Sequence, residues 1–274
     1  MSHEALALTG SGAGQPDEHP ADDLKKYLSG FRADSRSISH AVPILEEDRE
    51  LAASIPAGQR DAFTNLLRAP VVRLGSGAWE PAAASLERSG SLGLLVLDGV
   101  LIRNIEVLGR SGAELLGPGD LLRPWELDCD EYASVRTHSA WTIATPARLA
   151  LLGRRHSAII GRSPELTAAV VGRALRRSRF LAPLLALARI RQLKVRVHAV
   201  LWLLAERWGR VTPEGVLLDI PVTHATLGQL VGASRPSITS AVVDLRELGL
   251  VERAYDRGWL LRGDSPIAAE EYAS

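Results

Sequence analysis

Cysteine is almost absent from this chain: Cys129 stands alone in 274 residues. One thiol excludes an intramolecular disulfide and any zinc or iron–sulfur site that takes several thiolates from a single chain. Its neighbours Asp128, Asp130 and Glu131 disfavour a thiolate, which argues against a redox-sensing cysteine. Lysine is scarce too, with Lys25, Lys26 and Lys194 against 29 arginines. Neither sign of charge prevails, because 32 basic and 32 acidic residues cancel. That balance excludes a globally basic coat and an acidic tail binder, and leaves room for local patches. Long apolar runs are missing. The longest, Phe180–Ala188, has nine residues, far short of the ~20 that span a bilayer. The first residues carry no basic segment followed by an apolar run, as a secretory signal would. A cytoplasmic protein without a membrane partner is expected. Also missing are a P-loop, a nucleophile elbow, an H-E-x-x-H motif and a dinucleotide fingerprint. The seven histidines show no metal-ligand spacing, and His138 and His156 read as surface or core residues. No enzyme, no metal and no cofactor are therefore expected.

What is present is a 46% apolar fraction and a length that suits about two domains. Residues 1–40, punctuated by Gly10, Gly12, Gly14, Pro16 and Pro20, read as a disordered tail. Helical spacing covers Glu46–Ile55 and Gln59–Leu67. Short strands follow at Val71–Leu74, Leu92–Leu97, Val100–Ile105, Ala133–Thr137, Trp141–Thr145 and Arg148–Leu152. Asp98–Gly99 supplies the positive φ angles of a hairpin turn between the second and third of these. Gly117-Pro118-Gly119-Asp120 is a further turn cluster. Short strands with glycine-rich turns predict an antiparallel barrel or sandwich over residues 41–163.

From Ser163 the texture is helical. Ser163 suits an N-cap and Pro164 the first turn of a long helix over 164–192. Val171, Leu175, Leu181, Leu185 and Ala188 lie roughly along one stripe, and Pro183 should kink or split the helix. Six arginines (173, 176, 177, 179, 189 and 191) face one acid, Glu165. Two readings stand: a solvated basic face, or a dimer seam, since an apolar stripe on a long helix needs a partner surface. A second helix over Val195–Trp208 ends where Gly209 can cap it, and residues 211–221 read as a short hairpin.

The most informative stretch is Val222–Leu261. Thr223 caps a short helix whose apolar positions are Leu227, Leu230 and Val231. Gly232 ends it where a left-handed residue lets the chain turn. Ser234 caps the next helix, with Pro236 in its first turn. Ile238, Val242 and Leu245 fall on the inward face, which leaves Arg235, Pro236, Thr239, Ser240 and Val243 outward. Two helices joined by Gly-Ala-Ser form a helix-turn-helix, and Leu250–Ala254 with Trp259–Arg262 form a wing. Such a unit suits DNA: small hydroxyls and an arginine at a helix start read base edges in the major groove. Arg235 can pair bidentately with guanine, while Thr223, His224 and Arg257 can hold phosphates. The other reading is a ligand receptor or interaction module whose winged helix docks a protein partner. Its support is that residues 193–274 carry nine basic and ten acidic groups.

The segment from Thr223 to Thr239, Thr-His-Ala-Thr-Leu-Gly-Gln-Leu-Val-Gly-Ala-Ser-Arg-Pro-Ser-Ile-Thr, resembles the winged helix-turn-helix of the Crp/Fnr superfamily of bacterial transcription regulators. Leu204–Val211 ahead of it is similar as well, and so is the order of short helices, β-roll, long helix and winged helix. The resemblance implies an α+β protein in three parts: an N-terminal antiparallel β-roll like a cyclic-nucleotide-binding domain (41–163), a dimerisation helix (164–192) and a winged helix-turn-helix (193–274). It implies a homodimer paired through Val171, Leu175, Leu181, Leu185 and Ala188, a palindromic double-stranded DNA operator, and RNA polymerase as a further partner. The DNA-binding residues it points to, with those read above, are Thr223, His224, Ser234, Arg235, Pro236, Ser237, Thr239, Ser240 and Arg257, on a recognition helix of about 234–247.

Family members that bind cyclic nucleotide use a Gly-Glu pair for the ribose and an Arg-Ser or Arg-Thr pair for the phosphate. Here Gly119-Asp120-Leu121-Leu122 stands where Gly-Glu would, and Arg123-Pro124-Trp125 departs from the pattern. Arg136-Thr137 is of the right type but reads as part of a strand. Control by cyclic nucleotide is not expected, the effector is left open, and Trp125 and Trp141 read as core.

Overall fold

The computed structural model describes residues 38–81, 90–124, 134–254 and 258–266. Cys129, Trp125 and Arg257 lie outside the described residues. Two sheets form the first half. The five-stranded sheet has the order β1-β2-β9-β4-β7, from Ile38–Pro43 (β1), Arg68–Leu74 (β2), Ala147–Leu152 (β9), Gly93–Asp98 (β4) and Leu121–Leu122 (β7). The four-stranded sheet has the order β3-β8-β5-β6, from Gly77–Trp79 (β3), Thr137–Ile143 (β8), Leu101–Val107 (β5) and Arg110–Leu116 (β6). Strand pairing within both is antiparallel.

Period-two patterning assigns each strand two jobs. Val72, Leu74, Leu94, Val96, Leu149 and Leu151 point inward and meet Leu101, Leu116, Trp141 and Ile143 of the other sheet. The alternate residues Ala69, Val71, Leu95, Ala150 and Leu152 face outward and are covered by Ile44, Leu45, Leu51, Ile55, Ile160 and Leu166. Those covering residues come from short helices at Ile44–Glu47 (α1), Arg49–Ala53 (α2) and Arg154–Ile160 (α4), the start of Pro164–Leu187 (α5), and the loop at Ile55. A further helix, Ala57–Leu66 (α3), lies on the surface.

The hairpin expected at Asp98–Gly99 is not one. The strands on either side of it belong to different sheets. Gly99 has φ 88°, and a Cβ there would sit 2.5 Å from the Pro146 carbonyl oxygen. The Val100 N–H donates to Thr145 Oγ1 at 2.9 Å, and the Ala144 N–H donates to the Val100 carbonyl at 2.8 Å. Asp98–Gly99 is thus a corner that packs against a second corner, between β8 and β9. Other boundaries shift as well. The two strands expected at Ala133–Thr137 and Trp141–Thr145 are one, starting at Thr137, so Arg136 precedes it. Residues 38–40, read as tail, open β1. The single helix expected over Glu46–Ile55 is broken by Asp48, which caps α2 by accepting from the Leu51 N–H at 3.0 Å.

α5 has the Ser163 cap and first-turn proline expected of it, and it ends at Leu187 rather than 192. Pro183 does not split it. Both Pro183 and Arg179, whose carbonyl loses its helical partner, are exposed, so water can take that bond. The helix Leu193–Trp208 (α6) follows, and its Gly209 cap is extended (φ −77°, ψ 148°), feeding directly into a strand.

The C-terminal unit comprises α6, the hairpin Gly209–Thr212 (β10) and Gly215–Leu218 (β11), helices His224–Val231 (α7) and Arg235–Glu247 (α8), and a wing of Val251–Arg253 (β12) and Trp259–Leu261 (β13). Its strands form a sheet of order β10-β11-β13-β12. Its core contains Leu201, Leu204, Leu227, Ile238, Val242, Leu245 and Trp259. It is continuous with Val100, Ile102 and Leu115, so the winged helix packs on the outer face of the four-stranded sheet.

Candidate nucleic-acid interface

Both helix starts at the turn are fixed by hydroxyl caps. Thr223 Oγ1 accepts from the Thr226 N–H at 3.1 Å, and Ser234 Oγ from the Ser237 N–H at 3.3 Å. Gly232 adopts the left-handed conformation expected of it, φ 69° and ψ 41°. Gly228 permits the tight crossing, since a Cβ there would lie 2.6 Å from the Ala233 carbonyl oxygen. Ile238, Ala241, Val242 and Leu245 anchor α8 in the core. That burial presents the opposite face: Ser234, Arg235, Pro236, Ser237, Thr239, Ser240 and Val243 are exposed, as is Thr223.

The polar groups on this face are connected. Thr239 Oγ1 donates to the Arg235 carbonyl at 3.1 Å and lies 3.0 Å from His224 Nδ1. With its proton committed to that carbonyl, the Thr239 hydroxyl accepts from Nδ1–H. Ser240 Oγ donates to the Pro236 carbonyl at 3.4 Å, and Ser234 and Ser237 share a hydroxyl contact of 2.8 Å. His224 stacks on Trp259 with centroids 5.9 Å apart, and the Trp259 indole N–H donates to the Val222 carbonyl. Partial burial, then the charges of Arg253 and Arg235, hold His224 below its ordinary value and favour the neutral ring. Eight of the nine residues read from sequence thus sit around the start of α8; the ninth, Arg257, lies outside the described residues.

One residue was missed. Arg253 on β12 carries its guanidinium 4.2 Å from the Trp259 ring centre, close to His224. Its signal in the sequence is only a strand residue, because the stacking partner lies across the wing.

Other expectations change. The six arginines divide: Arg176, Arg179, Arg189 and Arg191 are exposed, whereas Arg173 and Arg177 are turned toward carboxylates of the roll and its short helices. Arg173 is buried, with Nη1 2.6 Å from Asp48 Oδ2 and 3.1 Å from the Gly119 carbonyl. Arg177 grips Glu114 with two bonds, Nε–Oε1 at 2.5 Å and Nη2–Oε2 at 2.8 Å, and Arg176 reaches Glu50. Burial would raise the Asp48 carboxyl, but the Arg173 guanidinium outweighs it and holds the group below its usual range. The apolar stripe divides. Val171, Leu175 and Leu185 are exposed by 51%, 52% and 73%, and Ala188 is exposed too, whereas Leu181 packs against the core of its own chain. Asp120 is buried. It accepts from the Gly117 N–H at 2.8 Å and pairs with Arg207 of α6, whose neighbour Trp208 lies against Gly117.

Residues 195–262 match the profile of the Crp-like helix-turn-helix domain. The fold of the described residues is similar to that of Crp/Fnr-type regulators. A CooA variant from Carboxydothermus hydrogenoformans is similar over 87% of this chain and 97% of its own, with a TM-score of 0.57 and 13% identity. FixK2 from Bradyrhizobium japonicum covers 71% of this chain and 93% of its own, at 0.53 and 14%. A CRP-family transcriptional regulator from Thermus thermophilus covers 74% and 96%, at 0.50 and 22%. No curated protein sequence matches the chain. Among the described residues no helix is long and apolar enough to cross a membrane, and no group of three or more His, Cys, Asp or Glu could hold a metal ion.

Proposed function

We propose that this protein is a sequence-specific DNA-binding transcription regulator of the Crp/Fnr type, working as a homodimer that inserts the start of α8 into the major groove. The observation that carries this reading is the exposed set Arg235, Thr239 and Ser240, raised on a helix whose other face is buried in a Crp-like domain. Arg235 is the group for a guanine edge and the two hydroxyls suit either strand. Thr223, Ser234 and His224 stand where phosphates pass. RNA polymerase is the further partner this reading brings.

Dimerisation is supported by Val171, Leu175 and Leu185, which share one stripe of α5 and are left in water by the single chain. Control without cyclic nucleotide is supported by Asp120, which by the resemblance would stand where the ribose-binding acid does, yet is committed to Arg207 and a turn amide. Arg136, read from sequence as part of a strand, lies in the loop ahead of β8, and only Thr137 belongs to the strand.

Selection of bound duplexes from a random DNA pool, with and without cyclic AMP or cyclic GMP, tests the reading. The expected result is a palindrome with half-sites about 34 Å apart, enriched equally in each condition. Single half-sites would overturn the dimer, enrichment only with nucleotide would overturn the reading of Asp120, and no enrichment would favour a protein-docking role. Binding should fall steeply with salt.

A further inference from the structure

Three parts of the chain meet at one guanidinium. Arg207, in the last turn of α6, pairs with Asp120 of the roll. The same group lies 4.5 Å from the ring centre of Trp208 beside it and 5.9 Å from that of Phe180 on α5. Phe180 and Trp208 meet edge to face, with centroids 6.1 Å apart. Trp208 in turn reaches the roll, where a Cβ on Gly117 would lie 2.6 Å from the indole Nε1. Asp120 is 5% exposed, and its other oxygen accepts from the Gly117 N–H at 2.8 Å, so the turn holds the carboxylate in place. α5 is bound to that turn as well, through Arg173 and the Gly119 carbonyl.

We propose that this junction fixes the angle at which the winged helix stands on α5 and the roll, and thereby sets the half-site spacing that a dimer accepts. Arg207 and Asp120 are positioning residues: both lie off the exposed face of α8 and act on DNA through the placement of that face. The junction favours one placement because its contacts are directional and largely withdrawn from water. Moving the winged helix away would leave the Asp120 carboxylate without its cation, which is costly for a buried charge. Two flanking rings leave the planar guanidinium few other orientations. α6 shares its core with α8 through Leu201 and Leu204, so what holds the end of α6 holds the reading face. In a dimer the two faces then keep one separation. Adding a base pair moves a half-site by about 3.4 Å and turns it by about 34°, which a rigid pair of winged helices does not follow.

The effect on spacing rests on the function proposed above; the docking itself does not, and is read without DNA. Operators are built from the half-site that the wild type selects, at the selected spacing and with one base pair added or removed. In Arg207→Met and Asp120→Asn the preference for the selected spacing should fall about tenfold, within the usual range of coupling between sites. The half-site sequence should stay the same. Ile238→Ala, which loosens the winged helix away from the junction, should keep the wild-type preference. Without DNA, amide hydrogen exchange at residues 117–120 and 205–209 should quicken in both junction variants. An unchanged spacing preference in both would overturn the proposal. So would an equal loss in Ile238→Ala, which would reduce the effect to stability alone. If the wild type selects no paired half-sites, the DNA-binding reading fails and exchange decides the docking: quicker exchange supports the junction, and unchanged exchange overturns it. Should Arg207→Met fail to fold, the double variant Asp120→Asn with Arg207→Met removes both charges and replaces it in each measurement.

Discussion

Arg235 is exposed at the first helical position of α8, and its removal leaves Ile238, Val242 and Leu245 in place. Arg235→Ala should therefore spare the fold and cost about 1–3 kcal/mol of specific DNA binding, with relaxed preference at one base position. Duplex titration and a repeated pool selection measure both. Ile238 is the reverse case: it is fully buried and touches no DNA in this arrangement. Ile238→Ala should lower unfolding free energy by about 2–5 kcal/mol, read in a urea melt. It should weaken DNA binding only as far as unfolding does. Ser234→Ala removes a helix cap and should cost about 1 kcal/mol of stability in the same melt. Comparing the three variants separates presentation of the reading face from the contacts it makes.

At the scale of elements, α5 is tied to the roll by ion pairs as well as by the buried Leu166 at its start. Arg177 and Arg103 flank Glu114, which is only 4% exposed, and Arg177 makes the bidentate pair. Arg177→Met should destabilise by about 3–5 kcal/mol, because it strips a buried carboxylate of its main partner. The double variant Arg177→Met with Glu114→Gln should recover part of the loss in a paired melt. The helix-turn-helix was legible because its rules are local. Caps at Thr223 and Ser234, a left-handed Gly232 and the Ile238, Val242, Leu245 spacing all act within a few residues. The roll was legible as strands and turns but not as pairings. Asp98–Gly99 has hairpin chemistry, yet the choice between hairpin and corner is made by Thr145 and Ala144, more than forty residues on. The same holds for Arg173 and Arg177 of α5, whose partners Asp48 and Glu114 are distant in the chain and invisible to spacing. Asp120 looked like a turn carboxylate and is one, but its pairing with Arg207 reaches another unit.

At the scale of the molecule, the roll and the winged helix share one apolar core through Val100, Ile102 and Leu115. Two buried histidines make the fold sensitive to acid. His198 on α6 is 2% exposed, and His156 on α4 is 7% exposed with Nε2 bonded to the Arg68 carbonyl at 3.0 Å. Desolvation lowers both below the usual 6.5, and the charge of Arg155 adds to this at His156. The unfolded chain therefore binds protons that the fold refuses. Stability is full above about pH 6.5 and falls as the pH drops through the window below it. Urea midpoints at pH 5 and pH 7.5 check this: the acid midpoint should be lower, and His198→Gln should narrow the gap.

The place of β9 in its sheet sets an order on synthesis. β9 lies between β2 and β4 and pairs with both, in a register that joins Val71 to Ala150 and Leu94 to Leu151. Until residue 152 has left the ribosome, two strands of the roll expose unpaired edges, with nothing between them to hold the sheet closed. The winged helix waits as well, since β11 pairs with β13 across both helices of the turn. Nascent chains stopped at residue 146 should be held by chaperones and cleaved readily by protease, whereas chains stopped beyond α4 should resist. The first half of this protein is made early and finishes late.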